Sequence, residues 1–220
     1  MFIMKVKDIM KRDLVTLTKE HTIKEALHLL EKNRIRHIPI VDEHGQIQGI
    51  VSDRDIRDAR PSIFEQHSND SELDKPISSL MSTNIITAEP EDLVQEVASV
   101  FYLYHIGCLP ITEDDRLVGM VTETELLHTF VELMGADQPS TQIDVEVSNS
   151  PGQLATIALI FKEFDINIHS VMVYPSETDA TKTLLFRAQT IDARQVIEAI
   201  QKAGFKVLGP LSVGEKYEDS

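Results

Sequence analysis

The chain has 220 residues, 42% of them hydrophobic and 26% charged, and carries a formal net charge of −15. It is long enough to bury a real core or to fold as two ordinary domains. So acidic a surface repels phosphate backbones and anionic lipid, which argues against nucleic acid and membranes as partners. No apolar run is long enough to span a bilayer, the start reads as no signal peptide, and Cys108 is the single cysteine, so a cytoplasmic location is expected.

Residues Val6–Asp13 lead into a short extended piece, Leu14–Leu17. Thr22-Ile-Lys-Glu25 is a capping box, and Ile23, Ala26, Leu27 and Leu30 follow at helical spacing, predicting an amphipathic helix that ends near Asn33. A hairpin is expected over Ile38–Val51 around the polar turn Asp42–Gln46, and then a helix that starts at Ser52. Everything then returns. Met10 and Met81, Thr16 and Thr87, and Pro39 and Pro110 are each 71 residues apart; Gly49 and Gly119, Ser52 and Thr122, and Asp55 and Glu125 are each 70 apart. The one lost residue falls in the hairpin turn, where a deletion costs least. The chain therefore holds two copies of a strand–helix–strand–strand–helix unit that bury their faces against each other. Asp58–Lys75 between them reads as a solvated connector with one helical turn at Ser62–Gln66. The second copy closes with a helix over Leu126–Met134, stopped by Gly135 in a left-handed position.

A linker is expected over 136–141, and after it the pattern changes. Ile143, Val145 and Val147 alternate with polar residues, as in a half-buried strand. Asn149-Ser-Pro-Gly152 is a turn with Ser150 as N-cap and Pro151 at the first helical position. Leu154, Ile157, Ala158, Phe161 and Phe164 form a helical stripe. Ile166–Val173 is a strand whose alternation slips between Ile168 and Val171, which predicts a bulge or bend. A strand over Thr183–Thr190, a helix carrying Val196, Ile197 and Ile200 up to Gly204, and a strand from Phe205 complete the order βαββαβ, the ferredoxin-like arrangement.

Two helix starts carry candidate chemistry. Ser52-x-x-Asp55 follows a strand directly, so its backbone N–H groups and helix dipole suit a phosphate. The hydroxyl of Ser52 can touch that phosphate, and the Asp55 carboxylate can accept two hydrogen bonds from a ribose diol. The turn Arg36-His37-Ile38-Pro39 would wall in a base. The alternative is a plain capping box with no ligand. At Thr122-x-x-Glu125 capping is the stronger reading, because Thr with Glu three residues later is the preferred pair. His37 and His105 flank the proline turns, yet no spacing among the eight histidines matches a metal site. Cys108, beside Leu109, reads as a buried inert thiol. No Walker or Rossmann phosphate loop, nucleophile elbow or Ser/His/Asp order is present, which counts against an enzyme. Gly152 beside a helix start would let a small carboxylate approach the backbone, the alternative being a simple strand-to-helix turn.

Each repeat resembles a cystathionine-beta-synthase (CBS) domain, through the Asp8-Ile-Met10 and Ser79-Leu-Met81 openings, the hydrophobic-Pro-hydrophobic turn and the Gly-h-h-Ser/Thr-x-x-acid ending. The resemblance implies one CBS domain over 1–60, a connector over 61–75, a second domain over 76–135, and together a Bateman module that binds an adenosine ligand such as AMP, ADP, ATP or S-adenosylmethionine. On that basis Ser52, Arg54 and Asp55, with Thr16, Arg36, His37, Ile38 and Pro39, form the nucleotide site. Thr87, Gly107, Cys108, Leu109, Pro110, Thr122 and Glu125 form a second, where Glu125 departs from the usual Asp. Residues 142–216 resemble an ACT domain, through Val147-x-Asn149-Ser150-Pro151-Gly152-x-Leu154 and Asp165-Ile-Asn167-Ile168. The resemblance implies side-by-side pairing and an amino acid or small carboxylate held by Asn149, Ser150, Pro151, Gly152 and Asn167. The whole chain looks like the acetoin-utilisation protein B family, through residues 61–65, 101–102, 106–110 and 135–139. That implies a role in acetoin or butanediol use without supplying a reaction. The reading is a regulator with no catalysis and no cofactor, a metabolite or protein partner for its ACT half, and a homodimer, since the paired module leaves helical surface and the open sheet has an edge to cover. An enzyme of acetoin or acetyl-group metabolism and a purely structural dimer adaptor with empty clefts are the alternatives.

Overall fold

The computed structural model describes residues 4–59, 73–176 and 179–209. The helical turn expected at Ser62–Gln66, most of the connector and residues 210–216 lie outside them. The chain divides into two units, Met1–Leu127 and His128–Ser220. The division falls inside a helix, upstream of the stretch 136–141 expected as linker, and Thr141 already belongs to a strand.

The first unit contains both repeats. In the first, α2 (Ile23–Asn33) runs from the Thr22–Glu25 capping box to Arg34, which is left-handed at φ 52°. β1 (His37–Val41) pairs with β2 (Ile47–Ser52), and α3 (Asp53–Asp58) follows. In the second, α4 (Val94–Tyr104) ends at His105 with the same φ, and β3 (Cys108–Glu113), β4 (Arg116–Thr122) and α5 (Glu123–Leu133) repeat the order. Both hairpins slip register at the equivalent place, after Ile40 and after Ile111. Their turns explain the missing residue. The first closes through Gly45 at φ 78°, with the Asp42 carboxylate accepting from the N–H groups of His44 and Gln46. The second is a two-residue turn, Asp114–Asp115, with positive φ at both positions, the conformation that matches hairpin twist.

Three expectations need correction. Leu14–Leu17 forms no strand; only Leu17 bridges to Ile40, and Ala88 bridges to Ile111 in the same parallel sense. The lead-in contains a helical turn, α1 (Val6–Ile9), mirrored by a 3-10 turn at Ile77–Ser79. The closing helix starts at Glu123 rather than Leu126 because Thr122 caps it.

The openings of the repeats are exchanged. Val6 and Met10 belong to the second repeat's core, with Val97, Phe101, Leu109 and Val121. Ile77, Leu80 and Met81 pack with the first repeat's core, among Ile23, Leu30, Ile38 and Ile56. Hydrogen bonds follow: Lys11 pairs with Met120, and Ser82 pairs with Ile50. Lys5 and Lys7 also hold the Glu91 carboxylate of the second repeat. Each repeat therefore completes its core with a segment that sequence order assigns to the other.

In the second unit, β5 (Thr141–Ser148), α6 (Gln153–Glu163), β6 (Ile168–Pro175), β7 (Thr181–Ala188), α7 (Arg194–Lys202) and β8 (Lys206–Gly209) give the expected βαββαβ order, and the sheet runs β6-β7-β5-β8. Ile143, Val145 and Val147 of β5 and Leu184 and Phe186 of β7 face Ile157, Phe161, Val196 and Ile200 of the helices. The rings of Phe161 and Phe186 sit 5.1 Å apart, an aromatic contact that contributes about 1 kcal/mol beyond burial. The bulge in β6 falls between Ile168 and Ser170, as the slipped alternation predicts. Ser150 is not the N-cap of α6. Gly152 is, at φ 91°, so Pro151 lies in the turn rather than in the helix, and Leu154 stays exposed instead of joining the stripe.

Candidate functional site

Both acidic helix starts close on themselves. Asp55 Oδ2 accepts from the Ser52 backbone N–H at 2.7 Å and from its hydroxyl at 2.7 Å, while Ser52 Oγ accepts from the Asp55 N–H at 3.2 Å. Glu125 Oε2 accepts from the Thr122 N–H at 3.1 Å and from its hydroxyl. Asp55 is thus as complete a capping partner as Glu125. The two starts differ in what they open. α3 has six residues and α5 eleven, so α5 has the larger dipole to offer an anion.

A cavity of about 290 Å³ opens at the start of α5. Its walls come from three places. Thr122, Glu123, Thr124 and Glu125 belong to the second repeat's helix start, Arg34, Ile35, Arg36 and His37 to the first repeat's approach to β1, and Lys11 to the opening segment. The Lys11–Met120 backbone pairing sets Lys11 there, and its ammonium lies 2.6 Å from Glu125 Oε1. Burial alone would raise the Glu125 carboxyl; the hydrogen bonds from Lys11 and Thr122 outweigh it and hold the group below its ordinary value. Gly107 gives His37 room, because a Cβ there would stand 3.0 Å from His37 Nε2. Burial pushes the His37 imidazole below its ordinary value against the opposing pull of Asp53 and Asp55, so it is neutral at pH 7. Three cations and two carboxylates line this cavity in a chain of net charge −15.

The structure regroups the residues singled out from sequence. Arg36 and His37, assigned to the Ser52–Asp55 site, share this cavity with Gly107, Thr122 and Glu125. Ile38 and Leu109 are fully buried in the two cores, and Pro39 and Pro110 are buried beside them. Cys108 is buried and its thiol is pushed up to about 12, so it is unreactive. Thr16 and Arg54 are exposed. Thr87 lines another depression, with Gln46, Gln48 and Thr112. Sequence reasoning missed Lys11, Arg34, Met120, Glu123 and Thr124. Lys11 carries no local signal, since its place depends on the exchanged pairing.

In the second unit, Asn149 donates to the Asp179 carbonyl, and the hydroxyl of Ser150 meets that of Ser148 and the Gln153 amide. Asn167 donates to Gln189 and lines a separate depression with Lys162 and Asp165, which Asn149, Ser150, Pro151 and Gly152 do not border. Among the described residues no cluster of His, Cys, Asp and Glu is placed to hold a metal ion, and no helix is long and apolar enough to cross a membrane.

With this geometry in hand, the chain can be set beside known proteins. The family model described as CBS domain matches residues 6–62 and 77–132. Over 141 residues the chain is 34% identical to a CBS domain-containing protein of Dictyostelium discoideum, covering 62% of this chain and 97% of that one. The CBS domain pair of protein MJ0100, solved in complex with 5′-methylthioadenosine and S-adenosyl-L-methionine, is 33% identical with a TM-score of 0.52, covering 62% of this chain and all of that one. A protein of Vibrio cholerae assigned to acetoin utilization, AcuB, is 34% identical with a TM-score of 0.53, covering 63% of this chain and all of that one.

Proposed function

Because this chain belongs to the CBS-domain family, we propose that its paired repeats bind an adenosine ligand in the cavity between the α5 start and the Arg34–His37 segment. The observation that carries this reading is the cavity itself: it joins a helix N-terminus, a carboxylate and three cations contributed by both repeats. Thr122 and the first N–H groups of α5 would take a phosphate or carboxylate, and Arg34 and Arg36 would add charge at the rim. Glu125 would exchange its capping bonds for a ribose diol.

The role that fits is regulatory. In support, the Thr122 hydroxyl is tied to Glu125, and Cys108 is buried with its thiol pushed up to about 12. The second unit, read as an ACT-type domain from its Asn149-Ser-Pro-Gly152 turn and strand order, would add response to a small metabolite or a protein partner. The likeness to AcuB supports a place in acetoin or butanediol use. Exposed Tyr102, Leu103 and Tyr104 on α4, with Leu127 and Leu133 on α5, support assembly as a homodimer through helical surface.

The test is calorimetry of the full chain with AMP, ADP, ATP, S-adenosylmethionine and 5′-methylthioadenosine. At least one should bind, and Glu125→Ala should weaken it by about tenfold or more. Failure of all five to bind would overturn the reading.

A further inference from the structure

The second unit contains a partly buried cation with an unpartnered nitrogen. β7 alternates, so Leu184 and Phe186 enter the core while Thr183, Leu185 and Arg187 occupy the opposite face of the sheet. Arg187 is partly buried, and its Nε is shut off from solvent without a hydrogen-bond partner among the described residues. Such a group calls for an acceptor. Asp144, a carboxylate on this face, is engaged by the Gln142 amide at 3.0 and 3.1 Å.

Arg187 and Asp144 line one cavity of about 460 Å³. Its floor is Leu185, only 8% exposed, with Asp144 opposite on β5 and Met172 opposite on β6. Met134 and Ala136 form a wall. They are held there by Gly135, left-handed at φ 64° and pressed against His169, and by the Ser170 hydroxyl, which donates to the Met134 carbonyl at 2.6 Å. The result is a pocket of ligand size with an apolar floor, a cation and a carboxylate.

The geometry points to a binding site for a small carboxylate that also carries a hydroxyl or amino group. The guanidinium fork matches a carboxylate. Leu185, Met172 and Met134 accept a short apolar body. Asp144 accepts from a donor on the ligand and repels a second negative charge, which disfavours phosphate. This site shares no residue with the Asn149–Gly152 turn or with the nucleotide cavity, so its failure and that of the nucleotide reading are distinguishable.

The test is NMR titration of the full chain with L-lactate, L-alanine, propionate and inorganic phosphate at millimolar concentration. Lactate or alanine should shift resonances of β5–β7 and bind more tightly than propionate or phosphate. Arg187→Gln should weaken that binding by about tenfold or more. Arg187→Lys should fall between, because the charge stays and the fork is lost. Asp144→Asn should erase the preference over propionate. Unchanged dispersion of the β5–β8 resonances in each ligand-free variant serves as the folding control. Absence of binding by all three carboxylates, equal binding in Arg187→Gln, or tighter binding of phosphate would each overturn the proposal.

Discussion

The thioether of Met10 lies over Gly119, so close that a Cβ on Gly119 would stand 2.5 Å from the sulfur. Met81 covers Gly49 in the same way, at 2.7 Å. Each methionine opens one repeat and each glycine sits in the hairpin of the other, so the two contacts lock the exchanged openings in place. Gly119→Ala and Gly49→Ala should each cost about 1–3 kcal/mol by overpacking. Pairing Gly119→Ala with Met10→Ala should return part of that loss, because the clash leaves with the sulfur. Urea melts of the single and double variants check this; strictly additive losses would show that the glycines matter for some other reason.

Asp55 and Glu125 form a matched pair for a second test. Both close capping boxes, so Asp55→Ala and Glu125→Ala should each lower ligand-free stability by about 1 kcal/mol. Only Glu125 borders the cavity of the second repeat and holds Lys11. Adenosine-ligand affinity at that cavity should therefore fall in Glu125→Ala and change little in Asp55→Ala. Calorimetry beside ligand-free melts separates the effects, and equal loss of affinity in both variants would place the ligand elsewhere.

Acidification should destabilise the first unit in two steps of the same sign. His37 has a folded pKa below its unfolded value of 6.5, so its contribution is present above that value and declines as pH falls through 6.5, where only the unfolded chain gains a proton. Glu125 has a folded pKa below 4.5; its contribution is present above 4.5 and is lost as pH falls toward the folded value. His37→Gln should flatten the slope of stability against pH between about 7 and 5, and Lys11→Met should flatten the lower step. Denaturant melts across pH read both slopes. An unaltered upper slope in His37→Gln would remove His37 as its source.

The exposed aromatic and aliphatic side chains on α4 and α5 bear on assembly. Leu103 is 68% exposed and Leu127 64%, an arrangement that leaves apolar surface in water unless it is covered. Light scattering should report twice the 24.8 kDa chain mass. Leu103→Glu and Leu127→Glu should shift it toward the monomer without lowering the cooperativity of the melt. A monomeric wild-type chain at micromolar concentration would end the dimer reading.

What the sequence determined by itself is local. A repeat spacing of 71 and then 70 residues placed the deletion in the hairpin turn, and Thr22 with Glu25 marked the start of α2, because capping, helical period and strand alternation depend on near neighbours in the chain. The βαββαβ order and the bulge in β6 were legible for the same reason. Tertiary structure decided which segment completes which core. The Met10 and Met81 openings are equivalent in sequence, and only the packing of the repeats shows that each crosses to the other hairpin. The cavity follows from that exchange. It draws Lys11, Arg36 and Glu125 from positions far apart in the chain, and no periodicity within a window reports such a meeting. Arg187 is the same case in the second unit: alternation puts it on the outer face, but only the left-handed turn at Gly135, folding back over the sheet, closes a pocket around it.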